Sequence, residues 1–155
     1  MSTTPTPYDE STVVDSPSDW VNSHIKSYVA TDGVEGHEFR NGAPILLLTV
    51  LGRKSGVWRR TALIYGQSGD AYVVVASKGG DPKDPAWYTN LTDHSEVHVQ
   101  VKGKKFTARA RVADGEERSR LWDVMAGIWP DYNEYQTKTS RKIPVVVLDP
   151  VAAEG

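Results

Sequence analysis

The sequence predicts an α+β fold that is mainly β: a small antiparallel barrel of about six strands with two or three peripheral helices. Three observations carry that expectation. Apolar runs recur from Ile45 to Leu148. Short turns such as Gln67-Ser68-Gly69-Asp70 and Lys102-Gly103 separate several of them, so neighbours join as hairpins. Helical periodicity is confined to a few stretches, too few to alternate with strands as a parallel array requires.

Taken in order, residues 1–15 are rich in Thr, Pro and Ser and carry Asp9, Glu10 and Asp15, the composition of a disordered acidic tail. Residues 16–155 are expected to form one domain, long enough for a self-sufficient core. Ser16 can cap a first helix, Pro17 suits its first turn, and Asp19 stands where a reciprocal cap would. Val21, Ile25, Tyr28 and Val29 recur at helical spacing and Gly33 ends the element. Residues 31–44 are polar and glycine-rich and read as loop. Strands follow at 45–51, broken only by Thr49, then at 58–65 and 71–77. Val97, Val99 and Val101 alternate with His98 and Gln100 as a half-buried strand should, and 106–112 closes its hairpin. Asp114 and Glu117 open a helix whose apolar face is Leu121, Trp122, Met125, Ile128 and Trp129, with Pro130 as its stop. Residues 143–148 form the last strand.

Composition excludes several function classes. The formal charge is −2, which disfavours wholesale nucleic-acid binding. Cysteine is absent, which removes disulfides, thiolate chemistry and cysteine metal sites. The histidines, His24, His37, His94 and His98, are scattered without a helical ligand pair, so no metal is expected. The first 25 residues lack Lys, Arg and any apolar stretch, and no apolar run spans a bilayer. The expected setting is cytoplasmic, without stable membrane insertion.

Charge is nevertheless unevenly placed. No Asp or Glu stands between Glu38 and Asp70, whereas Arg53, Lys54, Arg59 and Arg60 crowd around Gly52 and Gly56. Arginine forks and glycine-exposed N–H groups suit fixed oxyanions; the same residues would also serve as a solvated hairpin tip. Arg59 and Arg60 open a strand and point to opposite faces, so one of them should join Arg53 and Lys54. Three further stretches are candidates. The first, 75–80 (Val75-Ala76-Ser77-Lys78-Gly79-Gly80), is an anion-facing strand end or an ordinary strand exit. The second, 85–91 with Trp87, Tyr88 and Asn90, is a wall for a flat heteroaromatic ring or core packing. The third, 129–136 with Trp129, Tyr132 and Tyr135, offers phenol donors or edge packing. Redox chemistry here must reside in a bound cofactor, and the inventory suits one with a flat ring and an anionic tail.

In this order and spacing, Gly52-Arg53-Lys54-Ser55-Gly56 with Arg59, Ala76-Ser77-Lys78-Gly79-Gly80, Pro85-Ala86-Trp87-Tyr88-Thr89-Asn90-Leu91, Tyr132-Asn133-Glu134-Tyr135-Gln136 and Ile143-Pro144-Val145-Val146-Val147 resemble the deazaflavin-dependent nitroreductase family of actinobacteria. The resemblance covers roughly residues 42–150. It implies a split β-barrel related to flavin-binding reductases, and coenzyme F420 as cofactor. Arg53, Lys54, Ser55 and Arg59 would hold the phosphate and oligoglutamate tail. Residues 60–64 (Arg60, Thr61, Ala62, Leu63, Ile64) would lie along the cofactor, and Val75, Ala76, Ser77 and Lys78 would meet it from the neighbouring strand. Ala86, Trp87, Tyr88 and Asn90 would shape the ring site. Tyr65, Trp129, Tyr132 and Tyr135 would flank a small-molecule substrate, with Tyr132, Tyr135 or Ser77 stabilising negative charge on it. The implied reaction is hydride transfer to a flat electron-poor acceptor: a quinone, enone, coumarin-like lactone or nitroaromatic. A homodimer fits the barrel type. A non-catalytic carrier, and an enzyme of the same barrel using FMN, share the same residue inventory.

Overall fold

The computed structural model describes residues 6–16, 19–39 and 42–151; the expectations that fall on Pro17 and on residues 1–5 lie outside them. The chain forms one eight-stranded sheet in the order β1-β3-β2-β6-β7-β8-β5-β4. The strands are β1 (Val14–Asp15), β2 (Ile45–Leu51), β3 (Trp58–Ile64), β4 (Gly66–Ser68), β5 (Ala71–Val75), β6 (Glu96–Val101), β7 (Lys104–Val112) and β8 (Val145–Pro150). Every neighbouring pair is antiparallel except β1 with β3. Four helices flank the sheet: α1 (Asp19–Thr31), α2 (Ala86–Asp93), α3 (Gly115–Ile128) and α4 (Asp131–Thr137). None is long and apolar enough to cross a membrane.

Two corrections to the expected architecture follow. Eight strands form rather than about six, because Val14–Asp15 and Gly66–Ser68 are paired although too short to show a period. The hydrogen-bonded sheet is also open: its ends, β1 and β4, have no ladder between them. Past Arg60 the outer edge of β3 leaves β1, and β5 carries β4 only as far as Val73. The space between β3 and β5 is a seam.

Packing explains the apolar runs. Leu46, Leu48 and Val50 of β2 face an inner core with Val74, Val97, Val99, Val146 and Leu148. Ile45 and Leu47 face the other way, against Ile25 and Tyr28 of α1. Both faces of β2 are thus buried, which is why it reads as continuous rather than alternating hydrophobicity. The opposite faces of β5 and β8 meet Leu121 and Met125 of α3 in a third cluster.

Residues 6–15, expected to be disordered, lie as a strap along the outer face of the sheet. The Trp58 Nε1–H donates to Thr6 O at 3.0 Å, and Tyr8 stacks on His98 with ring centroids 3.6 Å apart. Glu10 pairs with Lys105 at 2.7 Å and Asp15 with Arg60 at 2.6 Å. Two of the three acids that mark the tail in composition, Glu10 and Asp15, therefore fasten it, while Asp9 caps Ser11 within the strap.

Candidate active site

The seam opens into a cavity of about 520 Å³. One wall is Thr61, Ala62, Leu63 and Ile64 of β3, and another is Val75 with Ser77 and Lys78 after β5. Trp87 comes from α2; Tyr132 and Tyr135 come from α4, and Trp129 precedes it. No Asp or Glu among the described residues lines the cavity. Beside it lies a hollow of about 170 Å³ that shares Thr61 and Trp87 and adds Arg59, Ala86 and Asn90, with the Asp15–Arg60 pair also on its wall.

Backbone direction gives β3 a second use. Ser16 N–H donates to Arg60 O at 3.0 Å, so the Arg60 carbonyl points away from β2. Alternation then sends the N–H and C=O of Ala62 and Ile64 to the same side, the side of the seam.

The basic turn is a tight loop between β2 and β3. Gly52 N–H donates to Val57 O at 2.8 Å and Gly56 N–H to Gly52 O at 2.9 Å. A Cβ on Gly52 would stand 3.0 Å from Val57 O, a main-chain atom, and Gly56 has φ +69°, so both positions favour glycine. Asn90 braces the loop. Its Oδ1, in a side chain only 6% exposed, accepts from the Arg53 N–H at 3.2 Å and the Arg53 guanidinium at 2.8 Å. Ser55 Oγ accepts from Val57 N–H at 3.2 Å. Arg53 thus meets a neutral amide. Among the described residues neither it, Lys54 nor Arg59 has a carboxylate partner, whereas Arg60, Arg111 and Arg141 each do. Among the described residues no carboxylate pairs with the cations of the turn.

The two arginines that open β3 separate as strand alternation requires. Arg59 stays on the side of the turn, its Nε 3.8 Å from where a Gly52 Cβ would be. Arg60 turns to the outer face and is held by Asp15.

Tyr132 is 5% exposed and borders the cavity, and its hydroxyl has no hydrogen-bond partner among the described residues. Burial, and then the neighbouring Tyr135, push its pKa well above the ordinary phenol value. It stays protonated and can donate. Tyr135 Oη accepts from Trp129 Nε1–H at 3.4 Å, which leaves its own proton available. Ser77 presents a hydroxyl to the same space.

Several expected site residues are placed elsewhere. Tyr65 is buried in the inner core, its hydroxyl 2.8 Å from His37 Nε2. Burial raises the Tyr65 pKa, and burial followed by Lys102 lowers that of His37. Tyr88 packs against the inner core, and Ala76 is fully buried. None of the three lines the cavity. Conversely, Trp20, His24 and Phe39 line its mouth, although the loop reading of 31–44 gave no hint of this. Phe39 stands 5.3 Å from Trp20 and 5.6 Å from Trp129, ring centroid to centroid. A signal was present in Trp20 and His24, four residues apart on one face of α1.

A separate hollow of about 250 Å³ under the strap is lined by Tyr8, Thr49, His98 and Gln100 with Arg60 and Lys105. Its cations already hold Asp15 and Glu10, so it offers no free charge.

Residues 20–150 match the family described as F420H(2)-dependent quinone reductase. The chain is 42% identical over 128 residues to an F420H(2)-dependent quinone reductase of Mycobacterium tuberculosis, covering 81% of this chain and 86% of that one. Among solved structures it is similar to an F420-H2 dependent reductase, FDR-A, with TM-score 0.64 and 44% identity over 68% of this chain and 94% of the other. It is also similar to a chain described as a domain-swapped dimer, with TM-score 0.67 and 41% identity, covering 86% of this chain and all of that one.

Proposed function

The chain belongs to the F420H(2)-dependent quinone reductase family, and from that premise we propose that the seam cavity is where cofactor ring and substrate meet and that the turn at 52–59 receives the anionic tail. The protein is an oxidoreductase that uses coenzyme F420. The observation that carries the site reading is Arg59 in the hollow next to a carboxylate-free, largely apolar cavity, with Arg53 joined to that hollow through Asn90 and Lys54 in the same turn, none of the three paired with a carboxylate among the described residues. A cofactor with a polyanionic tail and a flat ring fits that pairing. Within residues 16–155, read as one domain, the sheet is a split β-barrel, with β3 and β5 flanking the same cavity.

When bound, the reduced deazaflavin supplies a hydride to a flat electron-poor acceptor, a quinone foremost, with enones, coumarin-like lactones and nitroaromatics of the same chemistry. The protein supplies position and electrostatics. Arg53, Lys54 and Arg59 grip the tail, and Asn90 and Ser55 keep the turn in shape. Ala62 and Ile64 offer backbone donors and acceptors to a ring edge, while Trp87 and Val75 give it apolar faces. Tyr132, Tyr135 and Ser77 hold donors toward a substrate oxygen, where they stabilise negative charge as it develops. Tyr132, kept protonated by burial, binds the oxygen, and solvent could deliver the final proton. Trp20, Phe39 and Trp129 exclude water at the mouth. We also propose a homodimer, supported by the related chain described as a domain-swapped dimer.

The test is a tryptophan-fluorescence titration with coenzyme F420 beside FMN, followed by turnover of a simple benzoquinone with the reduced cofactor. Preferential binding of F420 and quinone reduction are expected. Tight FMN binding with weak F420 binding would sink the reading of the turn and cavity.

A further inference from the structure

We propose that Arg141 is a positioning residue for the cavity: it fixes the corner at Ser77 and Lys78 and, through Gln136, ties that corner to the helix carrying Tyr132 and Tyr135. The proposal rests on the reading of the cavity as the reaction site. Arg141 lies in the stretch between α4 and β8, outside the cavity wall, with its side chain 15% exposed. Its Nε–H donates to Asp81 O at 2.8 Å. One terminal nitrogen donates to Ala76 O at 3.2 Å and to Asp84 Oδ1 at 2.9 Å, and the other to Ser77 O at 2.8 Å. The Asp84 pair neutralises the charge, and the other three bonds go to the main chain of one loop.

That loop is a single tight turn, closed by Gly80 N–H to Ser77 O at 2.9 Å and Asp81 N–H to Lys78 O at 3.1 Å, with a costly residue in it. Ser77 is right-handed (φ −79°, ψ −40°), while Lys78 has φ +46°, a left-handed conformation uncommon outside glycine. Arg141 binds the carbonyls of the two peptides that enter this corner. A trans peptide sets its N–H opposite its C=O, so the Ser77 and Lys78 N–H groups turn away from the guanidinium. Among the described residues neither has a protein acceptor. Ser77 and Lys78 both line the cavity. The clamp therefore decides how a hydroxyl, a cation and two N–H groups face the substrate.

The same residue reaches the tyrosine helix. Gln136 Nε2–H donates to Arg141 O at 2.8 Å and Gln136 Oε1 accepts from Ile143 N–H at 3.0 Å. Gln136 follows Tyr135 on α4. A Cβ on Gly80 would stand 2.7 Å from Tyr135 O, so the corner and α4 touch backbone to backbone. Lysine cannot replace this clamp, because an ammonium is a point donor and the carbonyls are met by a planar fork.

The experiment compares wild type with Arg141→Lys and Arg141→Met. Hydrogen–deuterium exchange of residues 76–84 and 132–138 is followed in the cofactor-free protein. Affinity for F420, kcat and KM with a benzoquinone, and melting temperature are measured beside it. In both variants exchange in 76–84 should rise at least about tenfold. Turnover should fall about 10- to 100-fold, as misplaced donors imply. Affinity for F420 should change by less than about threefold, because the basic turn is braced separately by Asn90. Ethylguanidinium should restore part of the turnover of a third variant, Arg141→Ala, whose shortened side chain leaves room for it, an effect a general stabiliser would not show. Folded variants with exchange and kcat near wild type would overturn the proposal, as would a joint loss of kcat, affinity and melting temperature without rescue. Wild-type protein that binds F420 and reduces no quinone would overturn the site reading instead, while the exchange data still decide the hold of Arg141 on the corner.

Discussion

Replacing Asn90 with Asp changes one atom type in the brace of the basic turn and nothing in its shape. The new carboxylate would accept the same two hydrogen bonds that Asn90 Oδ1 now accepts from Arg53, at 3.2 and 2.8 Å. Arg53 beside it would hold its pKa below the ordinary carboxylate range, so it is ionised at neutral pH. The charge-assisted pair offsets the cost of a carboxylate at a 6% exposed site, and unfolding free energy should stay within about 1 kcal/mol of wild type. Cofactor binding should respond differently. A phosphate on the far side of the guanidinium, ~6 Å from the carboxylate at an effective dielectric of ~20, would be repelled by about 2.8 kcal/mol. Solvent exposure of the turn and counter-ions reduce this to about 1–2 kcal/mol, or about 5- to 30-fold in affinity at low ionic strength. The assay is a fluorescence titration with F420 at low and at high ionic strength, paired with urea unfolding. The gap between the proteins should narrow as salt rises. Unchanged affinity at low ionic strength, in a variant as stable as wild type, would refute the assignment of this turn to the cofactor's anions.

Tyr132→Phe should lower quinone turnover by about 10- to 100-fold with F420 affinity unchanged, and should not destabilise the protein, because the hydroxyl lost has no hydrogen-bond partner among the described residues; a loss of affinity at constant turnover would contradict its role. Turnover in wild type should show no break near pH 10 from Tyr132, whose raised pKa keeps it protonated beyond that point. Arg59→Ala should weaken F420 binding by about 1–2 kcal/mol, whereas Arg60→Ala should leave affinity nearly intact and loosen the strap, since Arg60 is held by Asp15; equal effects on affinity would show that the two arginines are not divided between faces. His98 is depressed below 6.5 chiefly by burial, so the unfolded chain binds the proton more readily and stability falls as pH drops from 6.5 through the depressed value. His98→Gln should flatten that dependence in urea unfolding at a series of pH values, leaving the part due to His37, which is shifted the same way.

What the sequence disclosed, and what it hid, follows from the range of the forces involved. The run from Ile45 to Leu51 was legible because burial on both faces leaves it apolar throughout. The split between Arg59 and Arg60 was legible only halfway: alternation says they part, and the choice of Arg59 for the turn depends on Asp15 holding Arg60 from 45 residues away. Helical spacing put Trp87 and Asn90 on one face of α2, but spacing does not say what stands opposite, and Asn90 faces Arg53. Arg141 was invisible, since its partners at 76–84 lie 57 to 65 positions earlier. Tyr65, which only the family resemblance placed near the substrate, is core, its hydroxyl met by His37.

The strap has a consequence for the order of assembly. Joining Val14 and Asp15 to Arg59 and Arg60 closes a loop of about 45 residues for two residues of ladder, and β3 must already be in register with β2 to receive it. Loop closure of that length is compensated only by what the strap brings with it: the Asp15–Arg60 pair, the Tyr8–His98 stack and the Trp58 bond to Thr6. The strap should therefore dock only after β2 and β3 have paired, and its release should expose the outer face of the sheet while leaving the core closed.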